Sequence, residues 1–148
     1  MAAATNYQKN RLDDFVFRGQ AYTPPTTWYV GLFTAAPTAA GGGTEITGGS
    51  YARVGVACSP TAWSSTGGSG TTTNPSVGTS GTVSNNAAIT FPTPTAGWGT
   101  AVWVGFFDAA TGGNLCYAGQ LGAAQSIVSG APYAFQAGAL AYQTDASF

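Results

Sequence analysis

Histidine is absent from the 148 residues. With it go the commonest general base, the commonest metal ligand and any Ser-His-Asp or Cys-His nucleophile. Carboxylates are scarce: Asp13, Asp14, Glu45, Asp108 and Asp145 are the whole acidic complement. Asp13 and Asp14 are neighbours, so on a helix they diverge by about 100° and cannot share a water as a catalytic pair. Cys58 and Cys116 are the only cysteines. Two thiols cannot complete a structural zinc site and do not read as a disulfide scaffold, so both are expected as free thiols packed like small hydrophobes. Charge of either sign is rare, at 6% of residues where about 25% is usual. Four basic residues against five acidic ones offer no footprint for phosphate, which excludes DNA or RNA as a primary partner. No apolar run approaches the ~18 residues of a membrane span, and residues 1–20 lack the apolar stretch of a signal peptide. The expectation is folding in a cytoplasm, with no membrane partner, no enzymatic activity and no cofactor.

What is present is apolar and aromatic. Hydrophobic residues make up 44% and aromatics 13%, including Trp28, Trp63, Trp98 and Trp103. That is enough burial to oppose chain entropy in one domain. One segment reads as a helix. Thr5 to Gln8 has capping-box spacing, and Leu12, Phe15 and Val16 follow at i, i+3, i+4 on one face. Gly19 suits the position just past a helix end, with Arg18 near its negative pole. Beyond Pro24-Pro25 the period changes to that of strands: 27–34, 51–57, 82–84, 88–91, 101–107, 115–119, 126–129, 132–136 and 140–142. Asp108 to Asn114 supplies hairpin chemistry, with Asp108 expected to cap the turn. Residues 64–80 are almost wholly Gly, Ser, Thr and Asn and read as a long exposed loop. Short strands with Gly/Pro-rich turns predict a mainly β fold: a single antiparallel β-sandwich or jelly-roll-like barrel with one short N-terminal helix. Residues 1–20 are expected to form an attachment arm and 21–148 the β-domain.

Candidate partner-binding residues follow from this organisation. The helix offers Leu12, Phe15 and Val16 as an apolar stripe, flanked by the cations Arg11 and Arg18. Trp63 and Trp98, set among loop residues, could stack on sugar rings, although most tryptophans of a β-sandwich belong to its core. Gly41-Gly42-Gly43 and Gly67-Gly68-Ser69-Gly70 continue into neither a Walker lysine nor a dinucleotide fingerprint, so they are plain loops. With few charges, association should rest on apolar burial and backbone hydrogen bonds.

Longer stretches carry a resemblance. They are Tyr22-Thr23-Pro24-Pro25 leading into Trp28-Tyr29-Val30-Gly31-Leu32-Phe33, then Gly48-Gly49-Ser50-Tyr51-Ala52-Arg53 and Ala88-Ile89-Thr90-Phe91-Pro92. Gly97-Trp98-Gly99-Thr100 and Gly105-Phe106-Phe107-Asp108 through Leu115 complete the set. In these words the chain resembles a family of small tailed-bacteriophage virion proteins commonly labelled tail fibre proteins. The resemblance implies a non-enzymatic virion structural protein, assembled in the host bacterial cytoplasm, whose partners are phage capsid or tail proteins and further copies of itself. The short chain without fibre repeats favours a capsid decoration (cement) protein. The alternative is a tail or tail-fibre component, with a host-surface glycan as a lesser partner.

Overall fold

The computed structural model describes residues 2–65 and 81–143, so most of the predicted 64–80 loop lies outside the described residues. The elements are β1 (Ala2–Ala4), α1 (Asn6–Arg18), β2 (Thr27–Ala35), β3 (Thr44–Glu45), β4 (Val54–Ala57) and β5 (Trp63–Ser64). They continue with β6 (Thr82–Asn85), β7 (Ile89–Thr90), β8 (Gly99–Phe107), β9 (Leu115–Ile127), β10 (Ala134–Phe135) and β11 (Ala141–Gln143). The fold is mainly β with one short helix, as the composition predicts. The large sheet runs β3-β2-β8-β9-β1-β11-β6-β5, with β4 also on β2, while β7 and β10 pair separately.

Two expectations need correction. The sheet is open, not a closed barrel, and it is mixed, because β1 runs parallel to β11 and antiparallel to β9. Ala2–Ala4 is therefore an inner strand, and all three alanines are buried. Alanine has little strand propensity, so the placement is decided by the ladders on either side. Residues 1–20 consequently divide: 2–4 belong to the sheet, and only the segment from Asn6 onward lies outside it.

Strand alternation sorts the two faces. On one face Val30 and Leu32 stand opposite Phe106 and Val104. They share a buried core with Ile89, Phe91 and Phe135 from the β7–β10 region, which gives a sandwich-like layering. On the other face Gly31 stands opposite Gly105. The missing side chains open a slot in which the Phe33 and Phe107 rings stack at 5.9 Å. A Cβ on Gly105 would lie 2.6 Å from Leu115 Cδ1 and 2.7 Å from Phe33 Cε2. Asp108 closes the β8–β9 hairpin by accepting the Asn114 N–H at 2.7 Å and its side-chain amide at 2.8 Å.

Candidate interaction surface

The helix is mounted on the sheet at one end. Thr5 extends the β1–β9 ladder through its N–H to Cys116 O at 2.9 Å. Its hydroxyl donates to Leu115 O at 2.7 Å and accepts the Gln8 N–H at 3.5 Å, which starts the helix. Only half of the predicted capping box forms. The Gln8 amide turns away from Thr5 and donates to the Tyr22 hydroxyl at 3.0 Å, and Gln8 is buried. Arg11 donates to the Tyr7 hydroxyl at 2.7 Å and lies 5.0 Å from the Tyr22 ring centre. The tyrosine contact raises the Arg11 pKa. Gly19 ends the helix at φ 64° with its N–H on Asp14 O.

The first half of α1 is thus fixed by polar and cation–π contacts, while the second half stands clear. Phe15 is 52% exposed, Val16 65% and Phe17 83%. Of the predicted stripe, Leu12 is half-buried, and Phe15 and Val16 are presented to solvent. Arg11 is spent inside the chain, and Arg18 pairs with Asp14 at 2.8 Å on the surface. Phe17, the most exposed of these, has no place in an i, i+3, i+4 pattern starting at Leu12. Its signal was its position beside two other large apolar residues.

The two candidate tryptophans do not join the helix. Trp98 is buried, with its indole N–H on Gly49 O at 2.8 Å and its ring edge-on to Tyr51. Trp63 packs 5.8 Å from Phe106 and donates to Ala57 O at 3.0 Å. Trp98 offers no free face to a sugar ring, and Trp63 is a partly buried support of the core. Cys116 is buried as expected, and burial, with Asp108 nearby, pushes its pKa up to about 12. Cys58 departs from the expectation, for it is exposed.

One polar constellation escaped the sequence reading. Arg53 meets Glu45 in a fork, Nε to Oε1 at 2.8 Å and Nη2 to Oε2 at 2.7 Å. Its Nη1 donates to Ala109 O and Gly112 O, both at 2.8 Å, and its guanidinium lies 3.3 Å from the Phe107 ring centre. The Tyr51 hydroxyl donates to Glu45 Oε1 at 3.0 Å and accepts the Leu32 N–H at 2.8 Å. This network fills the space over Gly31 and ties the 109–112 turn to the sheet. It was legible in principle: between residues 21 and 143 only Glu45, Arg53 and Asp108 carry charge, so the lone cation needed a carboxylate. Among the described residues no three His, Cys, Asp or Glu side chains gather, and no helix is long and apolar enough to cross a membrane.

The model of one protein family, described as Gp80, Podophage GP4 fiber I protein gp80, matches residues 3–143. No curated protein matches the chain.

Proposed function

The chain belongs to the podophage GP4 fiber I protein gp80 family of tailed-phage virion proteins, and from that premise we propose that it is a non-enzymatic structural component of a tail fibre. The observation that carries this reading is a match spanning the sheet, the helix and the β8–β9 hairpin together. A capsid decoration role, expected from chain length and the lack of repeats, finds no support in a family described by its fibre. A structural role also suits the few carboxylates: Glu45 is engaged by Arg53 and Tyr51, and Asp108 by Asn114.

The element that meets other virion proteins is the second half of α1, where apolar area stands free on a rigid mount. Burying a phenyl or valine side chain is worth about 1.5–3 kcal/mol, whereas the exposed Arg18–Asp14 pair supplies about 0–1 kcal/mol. Attachment should therefore survive about 1 M salt, where the Debye length is near 3 Å, and yield to denaturant. The test of position is gold-labelled antibody against the chain on purified particles. Label confined to the tail appendages supports the proposal; label spread over the head refutes it.

A further inference from the structure

Glu45, Arg53 and Asp108 are the only charged residues between positions 21 and 143, and all three converge on one pocket. Its volume is about 380 Å³, inside the ~300–1,000 Å³ range of small-molecule sites. The pocket lies where the start of α1, the 39–43 loop and the end of the β8–β9 hairpin meet over Phe33 and Phe107. Those two rings are nearly buried and form only a floor, which half-buried Leu115 extends.

The charges hold the walls in place. Arg53 forks onto Glu45 and lies 3.3 Å from the Phe107 ring centre, and Glu45 and Phe107 both line the pocket. Asp108 accepts the backbone and side-chain N–H groups of Asn114, a third lining residue. Fixing such groups before a ligand arrives removes the ordering cost that binding otherwise carries.

The same contacts define what fits. Glu45 is the sole charged residue of the lining, and Arg53 and Tyr51 already occupy its carboxylate, so the pocket offers no cation to an anion and no unmatched charge to a cation. What remains is neutral and polar. The Asn114 amide gives its nitrogen to Asp108 and keeps its oxygen as an acceptor, while the Tyr7 hydroxyl accepts from Arg11 and keeps its own proton to donate. Gly41 and Gly42 add a bare backbone wall, with nothing within 4 Å of where a Cβ would stand. A neutral peptide needs a strand edge for its main chain, but β3 beside the pocket is two residues long, and Gly41 to Gly43, at φ 96°, 80° and 82°, cannot extend it. A sugar ring brings an apolar C–H face for the floor and hydroxyls that both donate and accept for the walls. Benzene fills a cavity of about 150 Å³, so one such ring with its hydroxyls has room here.

We propose that this pocket binds one ring of a neutral saccharide. The proposal does not rest on the fibre reading: it is tested on the purified chain, whatever its position on the virion. The ¹⁵N-labelled chain is titrated with the methyl glycosides of glucose, galactose and N-acetylglucosamine and followed by amide NMR. At least one should give saturable shifts centred on residues 41–43 and 113–115, with a Kd of about 1 mM, the scale set by the ligand's small number of non-hydrogen atoms. Asn114→Ala removes the free acceptor while its backbone N–H can still reach Asp108, and Ala40→Trp puts bulk at an exposed lining position; each should weaken binding roughly tenfold or more. Thr111→Ala, on the same turn outside the lining, should leave it unchanged. The amide spectrum of each variant reports its fold in the same experiment. Absence of saturable shifts with all these glycosides at about 50 mM overturns the proposal, as do shifts centred elsewhere or an Asn114→Ala chain that binds like wild type. Equal affinity for methyl glucuronide or for an end-blocked Ala-Thr-Ala peptide overturns the choice of a neutral sugar.

Discussion

Arg53→Ala tests whether burial, and not ion-pair distance, sets the worth of a charge in this fold. The Arg18–Asp14 and Arg53–Glu45 pairs have almost the same length, 2.8 and 2.7 Å. Their side chains are 70% and 41% exposed in the first pair, against 8% and 22% in the second. An exposed i,i+4 pair contributes about 0.3–0.5 kcal/mol. Removing one partner of a buried pair costs about 3–5 kcal/mol, because the other charge stays behind without compensation. Here Glu45 would keep only the Tyr51 hydroxyl, and the carbonyls of Ala109 and Gly112 would lose their shared donor. These losses overlap in one network, so they are not summed. In a domain of this size about 1 kcal/mol moves Tm by about 2–4 °C. Arg53→Ala should lower Tm by about 6–20 °C, and Arg18→Ala by less than about 2 °C. Calorimetry and urea unfolding read both. Arg53→Met combined with Glu45→Gln should recover part of the loss, since no charge is then left buried. An Arg53→Ala cost below about 1 kcal/mol at unchanged urea slope would refute the argument.

Three further outcomes are expected. Gly105→Ala should cost about 1–3 kcal/mol in urea unfolding, because its methyl meets Leu115 and Phe33 well inside contact distance, whereas Gly122→Ala should be close to neutral. At mildly alkaline pH a thiol reagent should modify Cys58 alone and reach Cys116 only in denaturant. Burial raises the pKa values of Cys116, Tyr51 and Tyr117 in the folded state, so each favours the fold while protonated. That stability is complete below the ordinary thiol and phenol values of about 8.5 and 10 and is lost as pH rises through the raised folded values; a urea midpoint constant through pH ~11 would contradict it. Deleting residues 1–5 removes the inner strand β1 and should abolish the cooperative melt seen by circular dichroism, while Phe17→Asp should shift stability by no more than about 0.5 kcal/mol.

The sequence by itself determined the fold class and the local stops and starts. β-branched and aromatic runs place β2 and β8, Thr5 and Gly19 bound α1, and Asp108 with Asn114 closes the hairpin, because each depends on neighbours a few residues away. It determined the family as well, through words such as Gly105-Phe106-Phe107-Asp108 that are read without a structure. Only the tertiary structure decided which apolar residues stay outside. Leu12, Phe15 and Val16 form a stripe on any helical wheel, yet α1 meets the sheet with Gln8 at its first half and carries Phe15, Val16 and Phe17 into solvent. Trp63 and Trp98 look like loop tryptophans in the sequence, and long-range packing on Phe106 and Tyr51 takes them in. The alanines of β1 and the Glu45–Arg53 fork were settled in the same way. Strand pairing and ion pairing join residues far apart in the chain, and their energy depends on burial, which no local pattern records.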